Sequence, residues 1–356
     1  MAVLRISSRP NDASGPRSKR AEMRTSANLG STALGCAGPF VSGFKAGGPA
    51  ARSVTCHTCR KAPRPRARQA VTLIELLVVI AIVAVVLAML LSAVQAVREA
   101  SNRVECQVRL RELGIALQSY HHNFGRFPEG VGEATPGSPF PFRGWQTWLL
   151  PYVGQETLAV VTEEAYRREP LFYDPPHVGL KTPVRGFVCP SDGRVQKAQF
   201  VHGHFVAFTS YLGVEGTDLY SNDGVLYQGS RVAIADVSDG VSNTLLVGER
   251  PPSADLAFGW WYAGMGQATT GSCDMVLGAR ELNSGFSLLR MCERGPAEFG
   301  PGRLSNQCDA LHFWSVHRGG ANFLYVDGSV HFLTYDARTV LPALATRQGS
   351  EALEAP

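Results

Sequence analysis

Ala70-Val71-Thr72-Leu73-Ile74-Glu75, followed by sixteen unbroken apolar residues at 76–91, is the stretch on which the fold of this 356-residue chain turns. From Val71 the segment counts 21 residues, about 30 Å as an α-helix and enough to cross a bilayer. It holds one carboxylate, Glu75. An acid inside a span costs roughly 2.5–3.5 kcal/mol on insertion scales, so Glu75 reads as functional. Arg60, Lys61, Arg64, Arg66 and Arg68 precede it with no acid among them. Such a basic flank keeps the amino end in the cytoplasm, so the bulk of the chain is exported. A secretory signal peptide would have a shorter apolar run, about 7–15 residues, before a small-residue cleavage site. A plain signal anchor remains the alternative that fits the length and the charge.

The pattern resembles the N-terminus of type IV prepilins and pseudopilins. The resemblance implies cleavage by a prepilin peptidase between Ala70 and Val71 and methylation of the new amino terminus at Val71. It also implies an assembly role for Glu75, pairing with the terminal amine of a neighbouring subunit. Pairing of Glu75 with its own chain's amine and the positive end of its own helix is equally allowed. Ala70 and Val71 stand where such sites mostly have Gly and Phe or Met; the order small-before-apolar is kept.

Charge divides the chain sharply. Residues 1–70 hold 13 Lys or Arg against 2 acids, and the remainder holds 21 against 28. The exported part is acidic and has no basic stripe, which argues against nucleic acid as a partner. Residues 1–70 are rich in Ser, Gly, Ala, Pro and Arg and read as a disordered basic leader. A start at Val54 would leave a 17-residue leader of ordinary size. Cys56-x-x-Cys59 with His57 is half of a zinc motif without its second pair. Five cysteines follow the leader: Cys106, Cys189, Cys273, Cys292 and Cys308. Export permits disulfides, and the three closest in sequence are the ones expected to include a bridge.

Beyond the span the helix should continue to about residue 123, some 80 Å in all. Val94, Val97, Val104, Val108 and Ile115 form a stripe expected to pack on a head, with Arg98, Glu99, Arg103, Glu105, Arg109 and Glu112 on the other faces. Phe124-Gly125-Arg126-Phe127-Pro128 ends it. Short apolar runs between Gly, Pro, Asn and Asp clusters then predict a β-rich antiparallel head over 124–345, with a short helix at 145–153, a long excursion at 255–306 and a disordered tail at 346–356. Asp327-Gly328 between alternating apolar runs predicts a hairpin with a two-residue type I′ turn, pairing Tyr325 with Val330 and Phe323 with Phe332. The fold class is α+β, a pilin-like long N-terminal transmembrane helix packed on that head.

Several phrases, taken in order, resemble a large bacterial family of unknown function that joins a prepilin-type N-terminus to a C-terminal H-x9-D-G motif and is also classed as solute-binding-like. They include 93–100, Cys106 with Leu113-Gly114, Phe127-Pro128, 149–152, Cys189-Pro190-Ser191-Asp192, 239–244 with Gly248-Glu249-Arg250, and His317 separated by nine residues from Asp327-Gly328. Ser92 stands where that family commonly has Pro, so no kink is expected there. The resemblance also implies a Cys106–Cys189 pairing.

Three functions compete. Ser315, His317 and Asp327 are the residue types of a catalytic triad, but no nucleophile elbow accompanies them. The plainer reading gives Asp327-Gly328 to the turn and His317 to a hydrogen bond that ties its loop to the head. A binder would use His202, His204, Asp218, Asn222 and Asp223, with calcium the ion to try; the spacing fits no EF-hand. The leading expectation is a non-enzymatic, single-pass subunit of the inner membrane with an extracytoplasmic head and no cofactor. Its partners would be the membrane, prepilin peptidase, and pilin-like subunits or secretion machinery of a type II or type IV pilus-like system.

Overall fold

The computed structural model describes residues 72–173, 175–285 and 287–349. Ala70 and Val71, the leader with its Cys56, His57 and Cys59, and residues 350–356 lie outside the described residues.

Helix α1 runs without interruption over Leu73–Phe124. Thr72 caps it: its backbone N–H and hydroxyl both donate to Glu75 Oε2, at 2.8 and 2.9 Å, while the Glu75 N–H donates to the Thr72 hydroxyl at 3.3 Å. This is a capping box, which satisfies donors the first turn would otherwise leave open. Ser92 donates to the Met89 carbonyl at 2.9 Å and the helix passes through it. Gly125, at φ 72°, closes the C-terminus with an N–H to the His121 carbonyl, a left-handed cap that glycine adopts without strain. By length and composition α1 can cross a membrane, and its apolar residues from Leu73 to Leu91 are exposed.

The helix packs through a different stripe from the one expected. Val94, Val97, Val104, Val108 and Ile115 are exposed; Cys106, Leu110, Leu113, Leu117 and Tyr120 are buried. The two stripes share a period, so spacing alone does not choose between them. Gly114 and Ala116 beside the buried one leave room for close approach: a Cβ on Gly114 would come within 2.8 Å of Leu324 Cδ1.

In the head, α2 (Trp145–Leu149) runs into a 3-10 turn at Leu150–Val153, and α3 spans Glu156–Arg168. The strands are β1 (Gln199–Val201), β2 (His204–Val206), β3 (Tyr211–Gly216), β4 (Leu245–Glu249), β5 (Val276–Gly278), β6 (Arg280–Glu281), β7 (Ala297–Glu298), β8 (Gly320–Tyr325) and β9 (Val330–Thr334). Five form the central sheet in the order β5-β3-β4-β8-β9, antiparallel except for the parallel pair β3–β5. The fold is α+β. β8 is buried on both faces, Leu324 joining the core against α1 and Phe323 the core on the far side.

The β8–β9 hairpin forms one residue out of the expected register. Phe323 pairs with His331 and Leu324 with Val330. Gly328 has φ 88° and Asp327 is not among the positive-φ residues, so the loop is Val326-Asp327-Gly328, with the Gly328 N–H bonded to the Tyr325 carbonyl. This is the three-residue bulge alternative to a type I′ turn. Asp327 Oδ1 accepts from the Ser329 N–H at 2.8 Å and fixes it.

Residues 255–306 are not an excursion. Phe258, Trp261 and Tyr262 are buried in the two cores, and β5 is an edge of the central sheet. Periodicity is lost because irregular backbone carries these rings, with its polar groups met by Asp274, whose carboxylate accepts from the N–H groups of Gly259 and Gly266. Cys292 and Cys308 are bridged, and Cys273 is a buried free thiol. Residues 346–349, expected to begin a tail, are held on the head: the Arg347 N–H donates to the Asp223 carbonyl and the Gly349 N–H to Asp239 Oδ2.

Candidate functional site

Four segments converge where α1 leaves its exposed half and enters the head. α1 brings Glu99 and Cys106, the loop after Val188 brings Cys189, the end of β4 brings Glu249, and the loop before β8 brings His317. His317 Nδ1 lies 2.6 Å from Glu99 Oε1; Nε2 lies 3.3 Å from Cys106 Sγ and 3.6 Å from Cys189 Sγ. The two sulfurs are 3.1 Å apart, and Glu249 Oε1 is 3.7 Å from Nε2. All but Glu99 are buried.

Each side chain is held from behind. The Ser315 hydroxyl accepts from the His317 N–H at 3.0 Å and donates to the Gly320 carbonyl at 2.7 Å. Ser191 donates to Glu99 Oε2 and itself accepts from Asn102. Asp192, fully buried, pairs with Arg194, whose guanidinium donates onward to the carbonyls of Pro252, Ser253 and Leu304. That network positions the Cys189-Pro190-Ser191-Asp192 loop. Asn322 donates to Glu249 Oε2 through its backbone at 2.7 Å and its amide at 3.1 Å, and accepts from Gln107 of α1 at 3.0 Å. Glu249 Oε1 has no hydrogen-bond partner.

Electrostatics follow from this crowding. Burial draws the His317 imidazole down, but the hydrogen bond to Cys189 and the negative charge of Glu249 outweigh it and lift the group to about 9. Burial, opposed by the His317 charge, pushes Glu249 up to about 7. The hydrogen bond from Cys106, aided by His317 against burial, brings the Cys189 thiol down to about 5, and the same bond together with burial raises Cys106.

The residues singled out in the sequence separate into two ends of one clamp. His317 stands before β8 and meets α1 at Glu99 and Cys106. Asp327-Gly328 turns the chain after β8 and meets α1 near Gly114 and Gln118, whose amide donates to the Val326 carbonyl. The nine residues between them are therefore the connection into β8, the strand itself and its exit. His317 ties its loop to α1 and not, as expected, to the head alone. Ser315, His317 and Asp327 do not assemble as a triad, since the imidazole is turned to Glu99 and the cysteines. Asp218 and Asp223 are engaged within their own loop, Asp218 by Tyr220 and Ser221 and Asp223 by Thr217. His204 stacks on Tyr173 with ring centroids 4.8 Å apart. Glu75 lies in the capping box at the other end of α1. Glu99 and Glu249 were missed as site residues; Glu99 read as one charge on a solvated helix face, and Glu249 closes an apolar strand whose pattern gives no sign of its partner.

Two family profiles match the chain. A family described as proteins of unknown function, DUF1559, covers residues 95–337, well over half of the chain. The prokaryotic N-terminal methylation motif covers residues 65–91, the feature of a prepilin-like, membrane-associated substrate of prepilin peptidase. No curated protein and no solved structure matches.

Proposed function

Because the chain belongs to the DUF1559 family and carries an N-terminal methylation motif, we propose that it is a membrane-anchored, pseudopilin-like structural subunit. In this reading prepilin peptidase cuts between Ala70 and Val71, Val71 is N-methylated, the first part of α1 spans the cytoplasmic membrane, and the head is displayed outside it. The subunit serves a type II secretion or type IV pilus-like assembly and has no catalytic role. The observation that carries the reading is the uncovered apolar half of α1 with Glu75 one turn from its start. The exposed stripe Val94, Val97, Val104 and Val108 continues that apolar surface past the membrane, where a neighbouring helix would cover it.

Cysteine substitution tests assembly. Val97→Cys and Val104→Cys, oxidised in native membranes, should give linked dimers or ladders of this chain, while a cysteine placed at exposed Arg168 in the head gives none. Monomers alone at both stripe positions would remove the assembly part of the proposal.

A further inference from the structure

We propose that Cys106, Cys189 and His317 hold a zinc ion, with buried Glu249 beside the His317 ring as the nearby carboxylate, and that the ion staples the N-terminal helix to the head. The ligand atoms of the two cysteines and His317 lie within 4.8 Å of one another, all three residues buried. With bond lengths near 2.0–2.3 Å, tetrahedral zinc ligands sit roughly 3.3–3.8 Å apart. His317 Nε2 lies 3.3 and 3.6 Å from the two sulfurs and 3.7 Å from Glu249 Oε1; the sulfurs, now 3.1 Å apart, would move apart by a few tenths of an ångström to take up the ion.

Two further features point to a cation. Nδ1 of His317 faces the Glu99 carboxylate and keeps its proton there, so that a metal displacing the Nε2 proton would meet the lone pair that faces the sulfurs, the carboxylate–histidine–metal arrangement. Glu249 is 2 % exposed and its Oε1 accepts no hydrogen bond, with the His317 ring 3.7 Å away as its ion-pair partner; a metal ion beside it would bring a stronger positive charge to that buried oxygen. Two thiolates and an imidazole are the donors that suit zinc over calcium or magnesium. An open cleft lined by Gln95, Glu99, Arg103, His317 and Arg318 reaches the His317 side of the cluster. The site draws on α1, two loops and β4, so the metal would fix the angle at which the membrane helix enters the head. The proposal does not depend on N-terminal processing.

The test is metal analysis of the full chain, purified in detergent without added metal, then stripped, reduced and titrated with zinc or cobalt alone. We expect one equivalent of zinc, a thiolate-to-cobalt charge-transfer band, free Cys106 and Cys189 thiols after denaturation, and loss of both metal and band in Cys106→Ser and His317→Gln. Glu99→Gln keeps both thiols and the imidazole and should weaken affinity about 10–100-fold. A metal-free chain with Cys106 bonded to Cys189, a reduced wild-type chain that takes up no more cobalt than Cys106→Ser, or zinc retained undiminished in Cys106→Ser would each overturn the proposal.

Discussion

His317 Nδ1 and Glu99 Oε1 meet at 2.6 Å across 218 residues of sequence, joining the loop before β8 to the part of α1 that follows its apolar stretch. His317 is almost fully buried and Glu99 half-buried, so the contact is partly shielded from water. Replacing His317 leaves two carboxylates, Glu99 and Glu249, without their shared partner.

His317→Ala should therefore destabilise the chain by about 1–3 kcal/mol, the cost of stranding polar partners, discounted for the exposure of Glu99. The loss should appear as a lower thermal midpoint of the detergent-solubilised protein and as earlier proteolysis of α1 near Arg103. An unchanged midpoint and cleavage pattern would mean that the clamp carries no energy.

Gly114 is where α1 comes closest to the hairpin, with Leu324 Cδ1 at 2.8 Å from an added Cβ and Gly328 Cα at 3.6 Å. Gly114→Val should cost about 1–3 kcal/mol by forcing helix and hairpin apart. Ile115→Val, next to it on the exposed face, should change stability by less than about 0.5 kcal/mol. Denaturant midpoints of the two variants, compared at equal slope, separate the packed face from the free one.

Burial pushes Asp274 up to about 7, against the N–H bonds from Gly266 and Gly259, and it likewise raises Glu281 and, with the charge of Glu281, Glu215. The folded chain keeps protons here that ordinary carboxyls lose near pH 4, so it binds more protons than the unfolded chain. The stabilisation from these groups is complete below about pH 4 and is lost as pH rises through about 7. With chelator present, so that metal does not contribute, the thermal midpoint should be higher at pH 5 than at pH 8. Asp274→Asn should flatten that slope, and a wild-type midpoint that climbs with pH contradicts the assignment.

Much of this architecture is legible in the sequence because it rests on local chemistry. The span and its acid follow from composition, the end of α1 from Gly125 and Pro128, and the final hairpin from Asp327-Gly328. What escapes depends on tertiary choice. Two stripes on α1 have equal periodicity, and the head takes the one bearing Leu110, Leu113, Leu117 and Tyr120. The hairpin slips by one residue because Asp327 stays out of the left-handed region and only Gly328 enters it. Trp261 and Tyr262 are core residues on irregular backbone, where no period announces burial. In the site, His317, Cys106 and Cys189 were visible as separate phrases, but their meeting with Glu249 comes from the packing of α1 onto β4 and β8.

Intact and N-terminal peptide mass spectrometry of the protein extracted from its native membrane tests the central claim most directly. The account predicts a mature chain that begins at N-methylated Val71. A chain that retains Ala70 and the residues before it, or one that begins at Ser92 or later, would contradict prepilin-type processing and with it the subunit reading.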